Sequence, residues 1–158
     1  MKLKKGINKG CILTIDPGLS GGIAWRDTEY DILTCSMPEG LAEIVDKLRS
    51  IQNENPGITA VIEKTGTYMP GNSGPGAVTF ARHCGHIEAI LYTLGIPTIQ
   101  VTPQKWMKCI GALPKEKKER KNAIKEWVAR RHPDIKVTLK TSDALALLEC
   151  VEKNLLKV

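Results

Sequence analysis

Short apolar segments alternate with turn-forming residues over the first part of the chain. Residues 10–16, 21–25 and 30–36 predict three strands, the second of which is entered through a glycine-rich turn. Returns this short between strands favour an antiparallel meander.

The apolar positions then change to helical spacing. Residues 41–51 repeat apolar side chains at intervals of three and four, which predicts an amphipathic helix ending before Asn55-Pro56-Gly57. The apolar run 58–62 that follows predicts a strand, closed by Glu63. A strand, a helix and a strand in this order predict parallel pairing with a right-handed crossover, which places Glu63 near the same sheet end as Asp16.

The second half of the chain predicts mainly helices. We expect a helix over 77–94 with Val78 and Ala81 among its core positions, a strand over 96–101, a short helix from Pro103, a basic helix over 117–131 and a final helix from Ser142. The irregular stretch 64–76 is rich in glycine and proline, and a loop of that length in a compact domain is usually functional. The sequence therefore predicts an α/β fold in one domain spanning residues 1–158.

Three acidic residues stand at the edges of these buried segments. Asp16 ends the first strand before Pro17-Gly18, Glu63 ends the strand 58–62, and Asp143 lies in the first turn of the last helix. Each of these residues alone also fits a purely structural role: a turn for Asp16, an exposed strand end for Glu63, and an acid that complements a helix dipole for Asp143. Acids at three such positions together favour a Mg²⁺ site, because hard divalent cations take oxygen ligands.

The distribution of charge along the chain indicates a polyanionic ligand. The chain carries a formal net charge of +6, and residues 101–131 contain ten basic and three acidic residues, a local excess of seven positive charges. A basic segment beside acidic ligands fits a phosphate backbone held over metal ions, although a solvated helix explains the segment alone equally well. The five cysteines have no zinc or disulfide spacing, and no segment predicts a membrane span, so we expect a cytoplasmic protein with reduced thiols, in a bacterium or a host cell.

The order of these parts resembles the RuvC-type Holliday-junction resolvases of the RNase H-like superfamily, in particular the short versions encoded by phages and prophages. The resemblance covers about residues 10–152. It depends on the following motifs: Ile15-Asp16-Pro17-Gly18, Ile62-Glu63, Gly85-His86-Ile87-Glu88-Ala89, Val101-Thr102-Pro103 with Lys105-Trp106, and Ser142-Asp143-Ala144-Leu145-Ala146. It implies an RNase H-like mixed five-stranded sheet, an antiparallel meander plus parallel strands, flanked by helices on both faces.

The resemblance also implies residue roles. Asp16, Glu63 and Asp143 match the metal-ligand acids of the family, which points to Mg²⁺, with Mn²⁺ able to substitute and two ions at each active site. The family often has another acid or a histidine where this chain has Lys140. Lys140 could neutralise the scissile phosphate or replace a cation. Alternatively three acids suffice, another acid such as Asp134 or Glu149 fills in, or the protein binds junctions and cuts poorly.

The expected DNA contacts fall in two segments. Phosphate partners are expected among the lysines of the basic segment, namely Lys105, Lys108, Lys115, Lys117, Lys118 and Lys121. In the glycine-rich loop, Tyr68 and Met69 resemble in placement the apolar wedge with which such enzymes open a junction.

The function expected from these features is a structure-selective, Mg²⁺-dependent crossover junction endodeoxyribonuclease. The resemblance implies a homodimer, which agrees with the two active sites that two coordinated nicks in a two-fold junction need. Two alternatives stay open: cleavage of RNA in RNA–DNA hybrids, and a non-catalytic module that binds junctions.

Overall fold

The computed structural model describes residues 11–65 and 74–153. Five strands and five helices follow one another in these ranges. In chain order they are β1 (Ile12–Asp16), β2 (Gly22–Arg26), β3 (Ile32–Ser36), α1 (Leu41–Glu54), β4 (Thr59–Glu63), α2 (Pro75–Thr93), β5 (Thr98–Val101), α3 (Pro103–Met107), α4 (Lys117–Arg131) and α5 (Ser142–Glu152).

The strands form one mixed sheet in the order β3-β2-β1-β4-β5. The pairs β1–β2 and β2–β3 are antiparallel, whereas β1–β4 and β4–β5 are parallel. The predicted meander and the predicted parallel pairing through α1 are therefore both confirmed. The crossover by α1 starts from the edge strand β3 and returns to the centre of the sheet, where β4 lies beside β1.

The two faces of the sheet carry separate cores, because successive side chains of a strand point to opposite sides. On one face, Leu13 and Ile15 of β1 pack with apolar residues of α1 and α2. On the other face, Ala24 of β2 and Val61 of β4 pack with α3, α4 and α5. Helices thus flank both faces, as the fold class requires.

Helix α2 differs from its predicted packing. It begins at Pro75, and its buried residues start only at His83 and Cys84. Val78, predicted to face the core, is 61% exposed, and Ala81 is exposed as well. The physical reason is that the first turns of α2 lie beside the turn after β1, where Phe80 approaches Gly18, so they have no core to pack against.

Helix α5 is almost completely buried, with every residue from Ser142 to Cys150 inside the protein. Such a helix is apolar all round because neighbours surround it. Its predicted start at Ser142 is confirmed, and its apolar residues belong to the core.

None of the five cysteines, all of which lie in the described ranges, takes part in a disulfide. Across those ranges, no helix has the length and apolar character to cross a membrane.

Candidate active site

The three predicted acids converge where strands β1 and β4 end. Register pairs Ile15 with Ile62, and the next residue along each parallel strand is Asp16 or Glu63. Asp143, the second residue of α5, completes the group. The sequence-based expectation that Asp16 and Glu63 share one end of neighbouring strands is therefore confirmed as geometry.

A buried threonine fixes α5 against the sheet. The hydroxyl of Thr14 donates to the carbonyl of Ala144 at 2.7 Å and also lies 3.2 Å from the carbonyl of Ala24. Thr14 and Asp16 point to the same face of β1, since they are two residues apart. This contact holds the first turn of α5, and with it Asp143, beside Asp16.

Two glycines allow these segments to approach closely. A β-carbon at Gly21 would lie 2.0 Å from the carbonyl oxygen of Asp16, and one at Gly22 would lie 2.4 Å from that of Lys140. No larger residue fits at either position without moving a backbone. The glycine-rich entry to β2 is thus a requirement of the site as well as a turn.

Burial and nearby negative charge raise the pKa values of Asp16 and Glu63. Asp16 is 8% exposed, and burial, followed by the charges of Asp143 and Glu63, raises its pKa to about 8. Burial likewise raises the pKa of Glu63 to about 7, with the charge of Asp143 adding to the effect. Burial and neighbouring negative charges disfavour the ionised form of these carboxyl groups. A cation would compensate the negative charge, so the groups are suited to bind one.

Trp106 supports Glu63 and was not assigned a role from sequence. Its indole Nε1 donates a hydrogen bond to Glu63 Oε2 at 2.8 Å, and the side chain of Trp106 is fully buried in α3. This bond opposes the rise in the pKa of Glu63, because it stabilises the ionised carboxylate. A tryptophan in the short helix after the strand 96–101 was a usable signal, since a buried indole N–H usually finds an acceptor.

Lys121 is the cation that contacts the acids. Its Nζ lies 3.3 Å from Asp143 Oδ2. Burial lowers the pKa of Lys121, but the charges of Asp143, Asp16 and Glu63 outweigh that effect and the pKa is raised. The sequence contained a signal for this inward position. Lys121 lies three and seven positions before the apolar Ile124 and Val128, which places it on the buried side of α4.

Helix α2 supports the segments that follow both ligand strands. The backbone N–H of Gly18 donates to His83 Nδ1 at 3.1 Å, and the hydroxyl of Thr65 lies 3.7 Å from the sulfur of Cys84. His83 Nε2 is buried and has no hydrogen-bond partner among the described residues. Two consecutive side chains of α2 therefore contact the turns after Asp16 and after Glu63.

The acids open onto a cleft of about 760 Å³, a volume within the range of ligand-binding clefts. Among the described residues, the cationic side chains that line it are Lys117, Arg120 and Lys121. Apolar side chains of Phe80, Met107 and Ile124 line it as well. Neither Arg120 nor Phe80 was predicted from the sequence to be a site residue.

The remaining predicted site residues lie elsewhere. Lys140 is exposed and does not line the cleft, although its backbone carbonyl faces Gly22. Of the predicted phosphate partners, Lys105, Lys108, Lys115 and Lys118 are exposed outside the cleft. Tyr68 and Met69 lie outside the described residues.

The suggested replacement ligands are also elsewhere. Asp134 is exposed, and Glu149 is held by His132 Nε2 at 3.0 Å and by Lys153. Neither lines the cleft. The arrangement therefore offers three acids, with the ammonium group of Lys121 beside Asp143, and no fourth acid from these two positions.

The donor set fits a hard divalent cation, because three carboxylates offer oxygen ligands at one place. Within residues 11–65 and 74–153, however, no three His, Cys, Asp or Glu side chains are arranged to hold an ion as they stand. Asp143 is engaged by Lys121. A cation bound here would compete with Lys121 for the carboxylate of Asp143.

Comparison with known proteins identifies the fold. No protein-family model and no curated protein matches the chain. Among solved structures, the chain is similar to a Thermus thermophilus RuvC structure, with a TM-score of 0.50 and 15% identity over 87% of this chain and 90% of that chain. It is also similar to T. thermophilus RuvC in complex with Holliday junction substrate, with a TM-score of 0.53 and 14% identity over the same shares. The predicted fold class is confirmed: the chain has the RNase H-like fold of RuvC.

Proposed function

We propose that this protein is a metal-dependent endonuclease that resolves four-way and related branched DNA. The observation that carries the proposal is the convergence of Asp16, Glu63 and Asp143 in a cleft that cationic side chains also line. Carboxylates from separate elements beside a phosphate-binding surface suit phosphodiester hydrolysis. The RNase H-like fold of RuvC supports the same assignment.

Asp16, Glu63 and Asp143 would hold Mg²⁺ or Mn²⁺, with two ions as the working hypothesis. When bound, such ions activate water and stabilise the leaving oxygen of the phosphodiester. The protein's own part is positioning. Trp106 orients Glu63 by its hydrogen bond, Thr14 anchors the helix that carries Asp143, and burial limits the contact of Asp16 and Asp143 with bulk water.

The cationic wall of the cleft would bind the DNA backbone. Lys117 and Arg120 line the cleft without an ion pair to the three acids, so their charges are available to phosphates. Ionic contacts of this kind supply affinity without reading sequence. Lys105, Lys108, Lys115 and Lys118 are exposed and could extend this contact along the backbone.

The preference for branched DNA rests on similarity of fold. One of the similar solved structures is RuvC in complex with Holliday junction substrate. Tyr68 and Met69 remain the proposed wedge for opening a junction, and the relation to phage-encoded versions remains a prediction.

A homodimer is part of the proposal, because two symmetric nicks need two sites. Since α5 is buried, the exposed side of α2 is the better candidate interface. Val78 and Tyr92 on that helix are 61% and 88% exposed. Light scattering coupled to gel filtration would test this, and a monomer at micromolar concentration that still makes paired nicks would contradict it.

One observation favours a second candidate, a module that binds junctions without cutting them. The ion pair of Lys121 with Asp143 occupies an oxygen that a metal ion would need. A protein in which this pair persisted would bind DNA and cleave poorly.

The deciding experiment compares a labelled four-way junction, a linear duplex and an RNA–DNA hybrid with Mg²⁺, Mn²⁺ or EDTA. Wild type and Asp16→Asn are assayed side by side. Metal-dependent, paired junction nicks that need Asp16 support the resolvase. Tight junction binding without cutting by wild type selects the binding module, and selective hybrid cleavage selects an RNase H.

A further inference from the structure

Lys121 holds a position that a metal ion would compete for. Its Nζ is 3.3 Å from Asp143 Oδ2, and the side chain of Asp143 is only 9% exposed. Ile124 and Val128, on the same stripe of α4, are fully buried against α5. The packing of the two helices therefore presents the lysine to the acid.

A carboxylate oxygen that accepts a bond from an ammonium group is less available to a cation. A positive charge at this distance also repels an incoming divalent ion. The ammonium group thus opposes metal binding both by contact and by charge.

We propose that Lys121 competes with the divalent cation for Asp143, and that a DNA phosphate in the cleft relieves this competition by binding the ammonium group. The inference rests on the proposed metal site and adds its regulation by substrate. Metal would bind weakly to the free protein and tightly to the DNA complex. Cleavage chemistry would then be assembled only where a phosphate is present.

A phosphate is the suitable competitor for the lysine. Lys121 lines the cleft together with Lys117 and Arg120, so a backbone phosphate attracted by those two residues arrives within its reach. A lysine has a flexible stem and three donors, and can exchange one anionic partner for another. Coupling of this kind is reciprocal, so metal must also tighten DNA binding.

The test measures Mn²⁺ binding by isothermal titration calorimetry to the full chain at pH 8.5 without DNA. Lys121→Met removes the charge but keeps an unbranched stem. Lys121→Gln also removes the charge but keeps a donor toward Asp143, in case the methionine variant does not fold. The controls are Lys121→Arg, which keeps the charge, and Lys125→Met, which removes a charge one turn further along α4 and outside the cleft.

We expect Lys121→Met and Lys121→Gln to bind Mn²⁺ about tenfold more tightly than wild type, within the usual range of coupling between sites. The two controls should stay near the wild-type affinity. In a second measurement, Ca²⁺ should strengthen binding of wild type to a four-way junction relative to EDTA, and this gain should be smaller in Lys121→Met.

Two results would overturn the inference. Equal or weaker Mn²⁺ binding by folded Lys121→Met or Lys121→Gln would make Lys121 a plain phosphate contact, and would leave the proposed nuclease intact. Absence of Mn²⁺ binding in wild type and in both variants would remove the metal site itself, and with it both proposals.

Discussion

The indole of Trp106 and the carboxylate of Glu63 are joined by a hydrogen bond of 2.8 Å that links helix α3 to the end of strand β4. Glu63 is otherwise a carboxylate whose burial disfavours its charge, and its pKa is raised to about 7. The bond therefore stabilises the form of Glu63 that could bind metal.

Trp106→Phe tests this bond. Phenylalanine keeps most of the buried apolar surface but cannot donate to Glu63 Oε2, so the pKa of Glu63 should rise further. We expect Mn²⁺ affinity at pH 7 to fall about 10- to 150-fold, as removal of a hydrogen bond to a charged group costs about 1.5–3 kcal/mol. Calorimetry at pH 7 and pH 9 checks the origin of the loss. An equal loss at both pH values would point to a packing defect.

Asp16→Asn should stabilise the protein in a pH-dependent way. In the folded chain the pKa of Asp16 is about 8, against an ordinary value of 3.8. The folded state thus retains a proton that the unfolded state releases, so stability falls as pH rises between these two values. The asparagine side chain carries no such charge. In EDTA at pH 8 we therefore expect the melting temperature of the Asp16→Asn variant to exceed that of wild type by about 3–6 °C.

At pH 4 the advantage of Asp16→Asn should nearly vanish, because Asp16 is then protonated in the folded protein. Thermal unfolding followed by circular dichroism from pH 4 to pH 9 measures the trend. Asp46→Asn, an exposed position on α1, is the matched control and should show no such gain. A wild-type-like pH profile for Asp16→Asn would mean that burial of Asp16 is not costly.

Arg120→Ala should weaken binding to branched and linear DNA alike, because Arg120 lines the cleft and would contact phosphate. Loss of one phosphate contact reduces the slope of log affinity against log salt by about one unit. Fluorescence anisotropy at several salt concentrations measures the slope. Arg130→Ala, at the exposed far end of α4, removes the same charge and should leave the slope unchanged. Equal slopes for Arg120→Ala and wild type would place Arg120 outside the DNA contact.

His83→Ala should loosen the turn after Asp16, since the N–H of Gly18 loses its acceptor at 3.1 Å. We expect a loss of about 1–3 kcal/mol in the free energy of unfolding, the usual cost of an unpaired buried donor. His83→Asn offers an oxygen near the position of Nδ1 and should recover much of this loss and of the Mn²⁺ affinity. If asparagine recovers neither, His83 acts by packing alone.

Local sequence patterns were sufficient to predict the elements and their order. Apolar periodicity located the strands and helices within a few residues, and the crossover rule placed Glu63 beside Asp16 at one end of the sheet. These features depend on local spacing and on general rules of chain connection, so no knowledge of distant contacts was needed.

The tertiary structure decided which charged side chains meet. Lys121 and Lys140 are both lysines near the predicted site in sequence, yet only Lys121 reaches Asp143, because the buried stripe of α4 turns it toward α5. The exposed start of α2 and the hydrogen bond of Trp106 to Glu63 likewise depend on packing between segments that are distant in sequence. In each case the outcome depends on how helices pack across the sheet. Lys121 and Asp143 are 22 positions apart and Trp106 and Glu63 are 43 positions apart, so a local pattern can mark an inward-facing residue but cannot identify its partner.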